Sequence, residues 1–427
     1  MTRKELTATY LVQTPMPGEF VAELIAGEQS SGTFMPLAGE TDELKARARA
    51  RVVSIKETES EIVPLASAWL VRKGLDAQLL HEYRIEIAFP IANFGANLPA
   101  LCSTIMGNLY ELGELTGARL LQLDLPPDYV KRFPGPFHGV QGTRTLAGVH
   151  DRPLIGTIVK PSVGLNVEEI AAIVEQLCDA GIDFIKDDEL AANPAHAPFK
   201  QRVDAVMRVI LRHADRTGKR VIYAFNVTDN GSQMLRNAAY LEKRGACCAM
   251  VNMNWVGIAS VEMLRTHTPM AIHAHRAGWG MFTRHPGLGV NYEVIQQLYR
   301  LAGADHLHVN GLLSKFWEPD DSVAASARAC LDESNGLRAA MPVFSSGQWG
   351  GQARDTFQTI GSTDLMYLAG GGIFAHTLGP AAGVMALQQA WAAAADGLDT
   401  ENAARLYPEF AASVRQFGGS QSTRAVT

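Results

Sequence analysis

Cysteine is scarce in this chain: five in 427 residues, at Cys102, Cys178, Cys247, Cys248 and Cys330. Their odd number, apolar surroundings and lack of metal-type spacing argue against a disulfide framework or a cysteine-based metal site, and adjacent Cys247 and Cys248 suit buried packing better than a redox pair. Positive charge is not in excess. Lys and Arg total 38 against 44 Asp and Glu, a formal net charge of −6, so there is no electrostatic footprint for nucleic acid or an anionic membrane. No stretch reaches the roughly eighteen consecutive apolar residues of a spanning helix. The opening run MTRKELTATYLVQTP has no apolar h-region, so no secretory signal is expected and the cytoplasm is the default location. Low-complexity tracts are also missing: 39 glycines and 20 prolines fall at the ends of apolar runs and mark short turns. What remains, 47% hydrophobic and 19% charged, has length for one to three domains and a sizeable core.

The first 140 residues read as an α+β unit. Strand patterns fall at Ala8–Val12, Arg51–Lys56 and Tyr83–Pro90, the last alternating clearly in YRIEIAFP, with helical patterns at Phe20–Glu28 and Pro99–Leu112. Thr33–Asp42 and Glu57–Pro64 read as loops, and FPGPF at Phe133–Phe137 as a linker. From about residue 150 short β-rich runs alternate with helical segments. The runs are Leu154–Val159, Asp183–Lys186, Arg220–Phe225, Ala249–Met253, Met270–Ala274, His306–Val309, Pro342–Ser345 and Leu365–Ala369; helices start near Val167, Phe199, Gly231, Ala259, Tyr292, Ser322, Gln352 and Gly379. Eight β-then-α units have the rhythm of a (β/α)8 TIM barrel, preferred over a doubly wound sheet, which has fewer strands and a Gly-rich first turn. The expected division is residues 1–140 for the first domain and 141–427 for the barrel with a helical, then polar, extension.

Function in a barrel gathers where strands run into the following loops. Here the runs end in Lys160; in Lys186, Asp188 and Glu189; in Asn226; in Asn252 and Asn254; in His273, His275 and Arg276; in His306, His308 and Asn310; in Ser345; and in Gly370, Gly371 and Gly372. Any one is more often a loop residue or a satisfied buried group. Seven polar endings on one face carry the inference together. In DFIKDDE, two adjacent carboxylates at a strand end suit a hard divalent cation such as Mg²⁺, although a bare DDE is commonly a solvated turn. A lysine so near is normally a counter-ion; carbamylated, Lys186 becomes a third oxygen ligand. Small residues at Ser345–Gly347 and Gly370–Gly372 let backbone N–H groups approach a phosphate, and Arg276 adds a bidentate charge for a second anion.

GTIVKPSVGL, GIDFIKDDE, HAHRA, DHLHVNG with Lys315, PVFSSG and AGGG, preceded by GEQSSGTF and STIMGNLYEL, resemble the ribulose-bisphosphate carboxylase (RuBisCO) large-subunit superfamily in order and spacing, over about residues 8 to 390. The resemblance implies a ferredoxin-like N-terminal domain before a (β/α)8 barrel and a homodimer or an assembly of dimers, with each site shared between the barrel of one subunit and the front domain of the other. Carried across, Lys186 is the carbamylated lysine, completing a Mg²⁺ site with Asp188 and Glu189. Lys160 is the acid/base. His275 and His308 contact substrate oxygens, with Arg276, His308 and Ser345 around one phosphate and Gly370 and Gly371 at the other anion site. Lys315 steadies a carboxylate, and Glu28, Thr33 and Asn108 reach in from the neighbouring subunit.

Departures from the carboxylases point to a RuBisCO-like protein with another substrate. Ser162 stands where the carboxylases have a second lysine, Ile158 replaces a threonine, Phe34 a tryptophan and Trp279 a histidine, and LLSKFWEP is bulkier than the carboxylases' glycine-bearing loop. The retained parts imply Lewis-acid stabilisation of an enediolate. RuBisCO-like proteins use it to decarboxylate 3-oxo-isoapionate 4-phosphate, to cleave that substrate as a transcarboxylase/hydrolase, or to enolise and isomerise methylthio-sugar phosphates in methionine salvage. Lys315 favours a substrate with a carboxylate to grip, hence the β-keto acid, although a surface role in a mobile loop weighs almost equally.

Overall fold

The structure, a computed structural model, describes residues 4–32, 39–76 and 78–419. Thr33 and Phe34 lie outside the described residues. The chain forms two compact units, one of residues 1–133 with 278–298 and 334–337, the other of residues 134–277, 299–333 and 338–427.

In the first unit the strands Gly117–Asp124, Glu5–Thr14, His81–Pro90 and Arg51–Thr58 lie side by side in that order, all antiparallel, with helices Gly18–Glu28 and Leu98–Met106 between them in sequence. This is the ferredoxin-like split βαβ arrangement. Leu6, Ala8, Tyr10 and Val12, every second residue of the first strand, are buried, as the period of a strand requires. Two strands went unread in the sequence. Gly117–Asp124 is one, and the other is Leu288–Val290, which adds in parallel to the edge of Gly117–Asp124. Arg119 fastens this added segment by donating to the carbonyls of Thr283 (3.0 Å), His285 (2.6 Å) and Leu288 (3.2 Å), to Thr283 Oγ1 (2.9 Å) and to Asn291 Oδ1 (2.8 Å). The expected helix Pro99–Leu112 stops at Met106 and resumes as a 3-10 turn, Asn108–Glu111. A β-carbon at the intervening Gly107 would meet the Ser103 carbonyl oxygen at 2.2 Å, so a close backbone approach sets the break.

The second unit is a closed barrel of eight parallel strands: Leu154–Ile158, Phe184–Lys186, Ile222–Asn226, Cys248–Asn252, Ala271–His275, His306–Asn310, Met341–Phe344 and Met366–Leu368. Helix Val167–Asp179 starts on a capping box, Asn166 accepting from the Glu169 amide while Glu169 accepts from that of Asn166, and Asn230 caps helix Gly231–Lys243. Two buried aspartates immediately precede the second and sixth strands. Asp183 takes Arg152 Nη1 at 2.6 Å, Lys219 Nζ at 2.7 Å and the Ile155 amide at 2.9 Å. Asp305 takes Arg265 Nη1 and the Ile272 amide, each at 2.9 Å, and the amides of His138 and Gly139. Charge-assisted bonds thus tie neighbouring strands at their N-terminal ends and leave the C-terminal ends for the site. Among the described residues no helix is long and apolar enough to cross a membrane.

Candidate active site

The second strand ends in Lys186, whose fully buried Nζ donates to the Asp187 carbonyl at 2.9 Å and to Glu189 Oε2 at 3.3 Å. Burial lowers its pKa below the ordinary lysine value, against the pull of Glu189 and Asp188. Desolvation thus eases loss of the ammonium proton, the step that gives the nucleophilic amine able to add CO₂ as a carbamate. Asp188 Oδ2 accepts from Lys160 Nζ at 2.7 Å, and the same ammonium donates to Ser162 Oγ at 2.7 Å. The serine in place of the carboxylases' second lysine is thus a partner of the first. Glu189 Oε2 lies 3.5 Å from His275 Nε2. Burial works against the charged form of Glu189, yet His275 and Lys186 outweigh it and bring the carboxyl below its usual range. Burial and then Lys186 push His275 down to about 3, so the imidazole is neutral near pH 7 and Lys186 is the cation beside Glu189.

Three residues without an expected role hold this turn. Asp187 points away from its neighbours to accept from Tyr223 Oη at 2.7 Å, the Asn226 amide at 2.8 Å and Arg202 Nη2 at 3.2 Å. Asn226 Nδ2 donates to the carbonyls of Asp188 and Glu189, both at 3.2 Å, and Asn252 Nδ2 to that of Glu189 at 2.9 Å. Both asparagines were legible only as polar strand ends; Asp187 had no signal separating it from Asp188.

Among the described residues no group of three or more His, Cys, Asp or Glu is arranged to hold a metal ion. Asp188 and Glu189 supply oxygen donors of the type Mg²⁺ takes, and the lysine ammonium groups beside them occupy the places of positive charge. With a carbamate on Lys186 the set becomes three anionic oxygen donors, and on that chemistry the residues fit the ion.

The fifth and sixth strands direct His273, His275, His306 and His308 into the barrel. His275 and His308 meet edge to face with ring centres 4.4 Å apart, and His308 Nδ1 lies 3.1 Å from Ser345 Oγ. Gly370 faces Lys160, where a β-carbon would sit 3.5 Å from its Cε, while Gly371 faces open space. Arg276, expected at a phosphate, is ion-paired at 2.9 Å with buried Glu318, a residue the sequence did not flag, and Glu318 also accepts from Asn310 Nδ2 at 2.6 Å. Lys315 is exposed, with its Nζ 5.3 Å from the centre of the Phe316 ring. Its backbone amide donates to the Ser346 carbonyl at 3.1 Å. Asn310, Leu313 and Ser346 all have positive φ, so strained backbone concentrates in the sixth and seventh loops. In the first unit, Glu28 and Asn108 line one open cleft with Gln29, Ser30 and Thr104.

Lysines, carboxylates and imidazoles converging on the C-terminal mouth of a (β/α)8 barrel define an enzyme-type site. The pattern of the ribulose bisphosphate carboxylase large chain, catalytic domain, matches residues 139–417, and that of its N-terminal domain residues 2–129. The chain belongs to this family. It is 44% identical over 415 residues to a 3-oxo-isoapionate-4-phosphate decarboxylase of Rhizobium etli, covering 96% of this chain and 98% of that protein. It is 48% identical over 403 residues to a 3-oxo-isoapionate-4-phosphate transcarboxylase/hydrolase of Xanthobacter autotrophicus, covering 94% and 96%. The crystal structure of a RuBisCO-like protein from Burkholderia fungorum superposes with a TM-score of 0.91 at 47% identity, covering 97% of this chain and 100% of that one.

Proposed function

We propose that this protein is a Mg²⁺-dependent decarboxylase of 3-oxo-isoapionate 4-phosphate or a similar phosphorylated β-keto sugar acid, and not a ribulose-bisphosphate carboxylase. The observation that carries the reading is the Lys160–Asp188 contact beside Lys186 and Glu189, in a chain whose relatives are named for that substrate. Decarboxylation breaks the bond between the α-carbon and the carboxylate. CO₂ leaves, the electron pair passes into the neighbouring ketone as an enolate, and a proton returns to the α-carbon. Bound Mg²⁺, held by Asp188, Glu189 and the Lys186 carbamate, would supply Lewis-acid stabilisation of the negative oxygen. Lys160 is the residue we assign to deliver the proton, with Ser162 orienting its ammonium. Desolvated, neutral His275 serves as a hydrogen-bonding partner of substrate oxygens, Lys315 of the carboxylate, and Arg276, Gly370 and Gly371 of the anionic ends, while His308 acts through its contact with Ser345. Glu28, Thr33 and Asn108 complete the site from a second subunit of a cytoplasmic homodimer or a larger assembly of dimers. Ser162 in place of a lysine leaves one cation fewer beside Lys160, in keeping with a smaller, singly phosphorylated substrate.

The identity to the Xanthobacter enzyme supports a second reading, transcarboxylation and hydrolytic cleavage of the same substrate. Protein activated with CO₂ and Mg²⁺ is incubated with 3-oxo-isoapionate 4-phosphate and followed by NMR. Release of CO₂ with erythrulose phosphate establishes the decarboxylase; phosphoglycerate with glycolate establishes the alternative; an unchanged substrate overturns both. Deuterium exchange into a methylthioribulose phosphate would instead assign the chain to methionine salvage.

A further inference from the structure

A continuous chain of hydrogen bonds runs through the barrel interior below the proposed site. Thr143 Oγ1 lies 2.5 Å from the Gly139 carbonyl oxygen and 2.9 Å from His306 Nε2. His306 Nδ1 lies 3.3 Å from His273 Nδ1, His273 Nε2 lies 2.7 Å from His308 Nε2, and His308 Nδ1 lies 3.1 Å from Ser345 Oγ. All three rings are buried, and Phe184 packs on two of them, with ring centres 5.1 Å from His273 and 6.0 Å from His306. Burial pushes the pKa of each ring below the ordinary histidine value, so near pH 7 each carries one N–H and one acceptor nitrogen.

The polarity of such a chain follows from its fixed end. A carbonyl only accepts, so the single Thr143 hydroxyl proton is committed to Gly139, and Thr143 must accept from His306 Nε2–H. His306 Nδ1 is then an acceptor and receives His273 Nδ1–H. His273 Nε2 is an acceptor in turn and receives His308 Nε2–H. His308 Nδ1 ends the series as an acceptor and receives the Ser345 hydroxyl proton. At the far end Ser346 Oγ donates to Asn310 Oδ1 at 3.0 Å, an assignment made by Asn310 Nδ2 donating to Glu318, so Ser346 has no proton left for Ser345.

We propose that Thr143, His306 and His273 are positioning residues that lock His308 as its Nε2–H tautomer, so that the His308–Ser345 pair presents an acceptor to the substrate. Ser345 Oγ, its own proton engaged, then receives a hydroxyl proton of the substrate rather than donating to a phosphate oxygen. On this proposal Ser345 meets a substrate hydroxyl in place of the phosphate oxygen that the family resemblance implies for it. The kinetic consequence rests on the function proposed above; the tautomer assignment does not.

The test is ¹⁵N NMR of the intact protein with ring-labelled histidine, which needs no substrate. The expected pattern is protonated Nε2 on His308 and His306 and protonated Nδ1 on His273. Protonated Nδ1 on His308 in the wild type overturns the proposal whatever the protein catalyses. In Thr143→Val the anchor is removed with little change of volume. His306 and His308 should then show mixed tautomers and kcat should fall at least about tenfold with KM nearly unchanged, while Thr143→Ser keeps the wild-type pattern and rate. An unaltered tautomer pattern in folded Thr143→Val also overturns it.

Discussion

Lys160 Nζ and Asp188 Oδ2 stand 2.7 Å apart, so the residue assigned to proton transfer and a carboxylate assigned to the metal neutralise one another. Asp188, were it to hold a divalent cation as proposed, would no longer hold that ammonium, which would then be free to serve the substrate.

Lys160→Met removes the competing charge while keeping the stem. Turnover should fall about 10²- to 10⁴-fold, the range for losing a general acid or base, with Mg²⁺ affinity unchanged or tighter by titration. Ser162→Ala leaves the ammonium in place but frees one of its contacts, so its loss in kcat should stay below about tenfold. Equal losses in the two variants would remove Lys160 from the proton-transfer role.

Lys186→Met should abolish activity and, with it, the response to preincubation with CO₂ and Mg²⁺, because the amine that forms the carbamate is gone. Isothermal titration should show Mg²⁺ affinity falling at least about tenfold. Persistent CO₂ activation in this variant would refute the carbamate assignment.

Acid should destabilise the fold through its buried histidines. Burial depresses the pKa of His275 and His306 to about 3 from the ordinary 6.5. Each contribution is full above pH 6.5, where neither folded nor unfolded imidazole binds a proton, and is lost progressively as pH falls from 6.5 toward 3 because only the unfolded chain protonates. At pH 5 each of the two costs about 2 kcal/mol relative to pH 7. Urea midpoints across pH 5 to 7 should fall accordingly, and His306→Gln should flatten the slope by about one proton.

Asn108→Ala should impair turnover if the front unit completes a partner's site. Mixed with a Lys186→Met subunit it should recover activity in the heterodimer, which then holds one intact site. Mixtures that stay inactive under subunit exchange would argue for a site built within one chain.

The eight barrel strands and most of the following helices were readable because inward and outward residues alternate and polar groups collect at one end of seven of the eight runs. Helices begin at Val167, Phe199, Gly231 and Tyr292 as their patterns indicate. Pairings across long sequence separations were not readable. Nothing local in Leu288–Val290 distinguishes a three-residue strand whose partner lies at Ala118–Leu120. The candidate site divides in the same way. Lys160, Lys186, Asp188 and Glu189 stand out by residue type, but Asp187 and Glu318 act through contacts with Arg202, Tyr223 and Arg276 that only the fold brings near.

The strand Leu288–Val290 also has a consequence for synthesis on the ribosome. The amino-terminal sheet lacks its last strand until about 165 further residues beyond Asp124 have been translated, roughly ten to thirty seconds at ordinary rates of synthesis. During that delay the backbone edge of Gly117–Asp124 stands open and the guanidinium of Arg119 waits for its acceptors, so the nascent chain presents a template for strand capture by another polypeptide. A truncation after Phe133 would make that exposure permanent, and such a fragment should aggregate through that open edge.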